Sequence, residues 1–237
     1  MAEIYAGTSG WSYSSWKPKF YPSKLASAKF LSYYATRLNS VEVNYTFRTL
    51  PTEKLLAGWI ASTPVHFKFT AKAHQVITHI KRLRDTRKYL LDFLHSLQPL
   101  RDEGRLGLIL FQLPPNFKCD VARLIEFLDD LPHGIRCAFE FRHETWFCEE
   151  VFAALRARNA ALCWAESEKL KTPEVRTANF SYLRLRKKKY SAAALKSVIS
   201  KVGKLAQQGD VFAYFKHEET PEGAVCAVQV LRRARAS

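Results

Sequence analysis

Three glutamates and a larger set of cations recur at every second position of short apolar runs. Val41-Glu42-Val43-Asn44-Tyr45-Thr46 alternates apolar with polar side chains. A β-strand turns successive side chains to opposite faces, so Glu42, Asn44 and Thr46 are expected on one face. The same rule puts Lys68 and Thr70 inward from the next run, and Leu108, Leu110 and Gln112 from the one after. Glu140 and Arg142 follow, then Trp164 and Glu166, then Tyr182, Arg184 and Arg186, and last Tyr214 and Lys216. A carboxylate beside cations in a closed space suits acid–base work on a group that develops negative charge. Glu42, Lys68, Glu140 and Arg142 are the candidate catalytic residues, Glu42 or Glu140 moving a proton while the cations hold charge.

Buried charge is costly unless it is paired, and filling a barrel with ion pairs seldom beats apolar packing. The pattern therefore reads as a site. Lys68, Arg142, Arg184 and Lys216 outnumber Glu42, Glu140 and Glu166, with Arg186 as a further cation. That bias favours an anionic, phosphate-bearing ligand, and the basic run Arg186-Lys187-Lys188-Lys189 sits where barrels of this kind often hold phosphate. Trp11 and Tyr13 are candidates to stack on a base or sugar. Asn44, Gln112, His143, Tyr182, Arg184 and Lys216 complete the expected ligand-binding set. Glu42, Glu140, Glu166, His143 and His217 could meet at the mouth around a metal ion. No HxH or HExxH spacing supports that, and the cations oppose it, so no metal site is predicted. Walker A, GxGxxG, GxSxG and paired-cysteine motifs are absent, and the cofactor stays unspecified.

Eight strand-like runs must carry these residues: 3–8, 40–47, 65–72, 106–113, 135–143, 161–167, 180–186 and 210–217. Helical periodicity fills most of the gaps, over 28–38, from Pro51 onward, and over 83–100, 121–131, 149–158, 192–206 and 222–233. Alternating strands and helices argue for a parallel sheet. Eight such units in 237 residues argue for a single α/β domain, 1–237, closed as a (β/α)8 TIM-like barrel. The sixth crossover is the irregular one, because 168–179 contains Pro173 and little apolar periodicity.

The net charge of +15 and pI near 9.7 attract anions at long range, so a nucleic acid held by a basic surface, with no catalysis, is the alternative to a small anionic substrate. A phosphoester hydrolase or lyase is the reaction class that best fits the first reading. Five cysteines without a CxxC pair read as reduced thiols in a cytoplasmic protein. No apolar run is long enough to span a membrane and no signal peptide opens the chain. Oligomeric state is not encoded in these patterns.

Several landmarks recur in an order that resembles one family. They are Gly7-Thr8-Ser9-Gly10-Trp11-Ser12-Tyr13 with Trp16 and Phe20-Tyr21-Pro22, then Ser40-Val41-Glu42-Val43-Asn44 with Thr46-Phe47 and Pro51. Phe67-Lys68-Phe69, Ile77-Thr78-His79, Gln112-Leu113-Pro114-Pro115 with Phe117, and Glu140-Phe141-Arg142-His143 with Trp146 follow. Together they resemble the DUF72 (YecE-like) family along nearly the whole chain. The resemblance implies a TIM barrel and no defined activity. The chain departs from the family in having Arg186-Lys187 where a His-Gly pair is usual after the seventh strand.

Overall fold

A computed structural model describes residues 2–187, 189–216 and 220–234. Its eight strands are β1 (Ile4–Thr8), β2 (Ser40–Val43), β3 (Lys68–Lys72), β4 (Leu106–Gln112), β5 (Cys137–Glu140), β6 (Ala161–Ala165), β7 (Ser181–Leu185) and β8 (Val211–Phe215). All pair in parallel, in the order β1-β8-β7-β6-β5-β4-β3-β2. Helices α1 (Phe30–Ala35), α2 (Glu53–Ala61), α3 (Arg87–Ser96), α4 (Gln98–Asp102), α5 (Val121–Asp130), α6 (Glu149–Ala157), α7 (Ala192–Ala206) and α8 (Glu222–Ala234) lie between or after them. The result is a (β/α)8 barrel, and its sixth crossover, expected to be irregular, carries no helix.

The helix starts follow from capping. The Thr52 hydroxyl accepts from Leu55 N ahead of α2, Asp120 from Arg123 N ahead of α5, and Ser191 from Ala194 N ahead of α7. Each helix then buries one stripe, such as Leu124, Phe127 and Leu128 of α5, against the outward faces of the strands. The helix expected over 83–100 is two helices, because Pro99 lacks the amide hydrogen that would continue α3 and instead opens α4. Several strands are shorter than expected. The chain leaves β2 after Val43 for a 3₁₀ turn at Tyr45–Phe47, so Thr46 donates to Val43 O and Lys72 O instead of facing the barrel axis as a strand residue. β5 ends at Glu140, so Arg142 reaches in from the loop above it.

The barrel closes between β1 and β2 in an unusual way. Their one ladder contact is the bridge between Ser9 and Glu42, where Gly10 N donates to Glu42 O at 2.9 Å. Below it, side chains replace the ladder. Asn39 accepts from Ala6 N at 3.0 Å and donates to Ile4 O at 2.8 Å. The Tyr34 hydroxyl accepts from Thr8 N at 2.8 Å and donates to Ser40 O at 3.0 Å. Gly7 faces this seam, and a Cβ there would lie 1.9 Å from Ser40 O.

Inside, an apolar floor of Tyr5, Leu108, Leu110, Ala138, Phe180 and Phe212 fills the lower barrel. The Tyr214 hydroxyl sits above it, bonded to Ser40 Oγ at 2.5 Å and Thr70 Oγ1 at 2.8 Å. β6 corrects one expectation. Ala161 and Cys163 face in, and Trp164 packs on the outer core with its Nε1 donating to Val175 O at 3.1 Å. The five cysteines are free thiols, and burial pushes Cys137 up to about 12. No helix among the described residues is long and apolar enough to cross a membrane.

Candidate functional site

Glu42, Glu140 and Arg184 meet at the C-terminal end of the barrel and are fully buried. Arg184 Nη2 donates to Glu42 Oε1 at 2.5 Å, and its Nη1 bonds to Glu140 Oε2. Alternation on β2, β5 and β7 aims all three inward, and strand stagger brings them level. Glu42 also accepts from Ser9 Oγ at 2.8 Å and from the Tyr182 hydroxyl at 2.5 Å. Glu140 also accepts from Arg142 Nε at 3.0 Å and lies 3.3 Å from Arg186 Nη2. Burial alone would raise the Glu140 carboxyl, but Arg184 and Arg142 outweigh it and hold the group below its ordinary value. The same pair of carboxylates keeps the Arg184 guanidinium charged against its own burial. Tyr182, buried and beside Glu42, is pushed far above the usual phenol range.

Arg186 and Arg142 then border an open cavity of about 530 Å³, with Glu140, Glu166, Lys187 and the segment Ser167 to Leu170 on its walls. Glu166 Oε2 accepts from Arg186 N at 2.9 Å and from the Tyr190 hydroxyl. Three buried donors in this region lack an acceptor among the described residues: Gln112 Nε2, Arg184 Nε and Arg186 Nε. Gln112 stands level with Glu140 across β4 and β5 and favours its anion, while its amide nitrogen stays outside hydrogen-bond geometry. Buried donors left unpaired cost about 1–3 kcal/mol each.

The other expected site residues are held in different ways. Lys68 has the inward parity of Thr70 but begins β3, so it lies at the closed end of the barrel, where its Nζ bonds to Gly104 O. Burial and the nearby Arg105 and Arg136 lower its pKa there. His143 caps the 3₁₀ turn at Glu144–Trp146, its Nδ1 3.3 Å from Thr145 N and 3.0 Å from Thr145 Oγ1. Trp11 is turned toward α2, its ring perpendicular to Trp59 at 5.3 Å. Tyr13 packs on Trp16 at 4.9 Å and donates its hydroxyl to Ser9 O at 2.9 Å, so these two rings do not form one stacking wall. Asn44 is half-buried just past β2, and Lys216 is exposed just past β8. His217 and Lys188 lie outside the described residues. Among those described, no three His, Cys, Asp or Glu side chains converge as a metal-ligand set.

Lys72 is the residue the sequence reading passed over. It ends β3, two positions beyond Thr70 on the same face, and the alternation that selected Lys68 selects it equally. Its Nζ lies 4.0 Å from the centroid of the Phe47 ring. Burial and Arg184 bring its pKa down to about 8, Glu42 and Glu140 opposing and Arg142 assisting. His79, on the π-helical turn Val76–Ile80, meets Phe47 edge-on at 4.9 Å. Burial, then Lys72, Arg142 and Arg82, press its ring down to about 4.

Comparison with known proteins places these features in a wider group. Residues 5–237 match the family described as "Protein of unknown function DUF72". The UPF0759 protein YunF of Bacillus subtilis (strain 168) is 31% identical over 171 residues, which cover 69% of this chain and 59% of that protein. The aligned part thus spans less than two thirds of that relative's length. The crystal structure of a DUF72 family protein from Thermotoga maritima MSB8 superposes with a TM-score of 0.87 at 27% identity, covering 99% of this chain and 100% of that one. A DUF72 family protein from Enterococcus faecalis V583 matches in fold with a TM-score of 0.81 at 18% identity, covering 100% of this chain and 99% of that one.

Proposed function

This chain belongs to the DUF72 family, and on that footing we propose that its barrel mouth binds a small anionic molecule through a phosphate group, held by Arg142 and Arg186 with Gln112 and Arg184 behind them. The observation that carries this reading is the placement of Arg142 and Arg186 on the wall of the 530 Å³ cavity, both drawn to Glu140, which Arg184 already neutralises from behind. Charge agrees with it. Lys72, Arg142, Arg184, Arg186 and Lys187 face Glu42, Glu140 and Glu166 around the mouth, an excess of two positive charges. Planar guanidinium groups suit phosphate oxygens, and the cavity beside them is of a size for a metabolite.

Glu42 and Glu140 act in this reading as counter-ions that fix Arg184. Every Glu42 oxygen already accepts from Ser9, Tyr182 or Arg184, which leaves it poorly placed to take a proton from a substrate. A phosphoester hydrolase or lyase therefore needs its proton-transfer group elsewhere in the mouth. Inorganic phosphate binding, followed by titration calorimetry, tests the proposal. Arg142→Gln and Arg186→Gln should each weaken it about tenfold or more, the value of one charge-assisted hydrogen bond. Unchanged affinity in the double variant would overturn the reading. Tight binding of a single-stranded oligonucleotide that ignores both substitutions would favour the basic outer surface instead.

A further inference from the structure

We infer that Lys72 is a nucleophilic amine that forms an imine with an aldehyde or ketone carried by the anion bound at this mouth. The inference rests on the anion-binding reading and adds the reacting group. Lys72 stands at the C-terminal end of a barrel strand, where side chains from several strands converge on a ligand. Its backbone is fixed from both sides: Thr46 Oγ1 donates to Lys72 O at 2.7 Å, and Ala73 N donates to Leu110 O at 2.9 Å. Its ammonium forms no ion pair with a carboxylate among the described residues, unlike Arg142, Arg184 and Arg186.

The surroundings favour the free amine. The Phe47 ring lies 4.0 Å from Nζ, a cation–π contact that by itself supports the ammonium, and burial outweighs it. Arg184 and Arg142 repel a further positive charge, and the two glutamates that would support it are already bonded to arginine. His79, the other titratable ring against Phe47, is neutral near pH 7 and adds no charge. With its pKa near 8, about a tenth of Lys72 is unprotonated at pH 7, against well under a thousandth for an ordinary lysine. The chemistry then balances simply. The Nζ lone pair attacks the carbonyl carbon and a C–N bond forms. Two protons pass from nitrogen to oxygen, the C–O bond breaks, and water leaves as the imine appears.

Pyridoxal 5′-phosphate, an aldehyde that carries phosphate, is the probe. The folded protein is treated near pH 7, reduced with borohydride, digested and mapped by mass spectrometry. Lys72 should be labelled about a hundredfold faster than a lysine of ordinary pKa, following the difference in free amine. Excess inorganic phosphate should slow that labelling, and Lys72→Arg, which keeps the charge over Phe47, should abolish it. Label spread over other lysines with Lys72 unmodified would overturn the inference. A neutral aldehyde such as propanal separates the two ideas. Selective labelling of Lys72 by propanal that phosphate does not compete with would uphold the amine and sink the anion site. Phosphate binding lost in the arginine variants, with Lys72 inert to both aldehydes, would do the reverse.

Discussion

Replacing Arg184 with methionine tests whether the two inner glutamates are held as ions by one shared guanidinium. Arg184 is the cation bonded to Glu42, whose other partners, Ser9 and Tyr182, are neutral hydroxyls. Glu140 would keep Arg142 and Arg186. The variant thus strands one buried carboxylate fully and weakens the second. Breaking a buried pair from one side costs about 3–5 kcal/mol. For a chain of 237 residues, about 4 kcal/mol lowers the melting temperature by about 8–16 °C. The pH dependence should also change. In the wild type the Glu140 carboxyl sits below its unfolded value, so its contribution is present above about pH 4.3 and is lost as pH falls through the folded value. In the variant Glu140 loses the larger of the two charges that oppose its burial, its carboxyl moves back up, and that contribution shrinks. Urea unfolding at pH 5 and pH 7 should show the variant closer to wild type at pH 5. Adding Glu42→Gln should recover at least half of the loss. A loss under about 1 kcal/mol, or parallel pH curves, would refute the shared-ion account.

Two further outcomes follow from the same geometry. The His79 ring resonances should titrate with a midpoint near 4 by NMR. Because the unfolded ring takes its proton near 6.5, His79 subtracts stability as pH falls from there toward 4, and a midpoint above 6 would show that the mouth is wetter and less positive than described. Gly7→Ala should cost at least about 3 kcal/mol in urea unfolding, since its Cβ would collide with Ser40 O, whereas Gly58→Ala in α2 meets nothing within 4 Å and should gain about 0.5–1 kcal/mol. Equal effects at the two glycines would contradict the close seam.

Much of the inner wall was legible because alternation is a local property. Glu42, Glu140 and Arg184 lie in runs whose neighbours, such as Val41 and Val43 or Leu183 and Leu185, are apolar and outward. What alternation lacks is depth. Lys68 and Lys72 share a face, and only the register of β3 against β2, with Ser40 level with Lys68, shows which stands at the mouth. Parity also failed where a run is apolar on both faces. In β6, Cys163 and Trp164 are both suitable for burial, and the small side chain fits inside. His143 shows another limit of reading by position. A histidine after a strand serves as readily to cap a turn as to bind a ligand, and the choice depends on Thr145 two residues on. The irregularity of the sixth crossover was visible, since 168–179 contains Pro173 and little apolar periodicity.

The seam between β1 and β2 also bears on how the barrel assembles in time. β1 is level with β8 at five consecutive positions, Ile4 with Val211 through Thr8 with Phe215. Toward β2 it has one bridge and the side chains of Asn39 and Tyr34. Of the eight barrel strands, the first to be synthesised therefore waits for the eighth. At about 5–20 residues per second, the 207 residues from Ile4 to Val211 take about 10–40 s to synthesise. For that interval one edge of β1 is unpaired, and the ordering of the Glu42 network, which needs Ser9 just beyond β1, is postponed until the final strand docks.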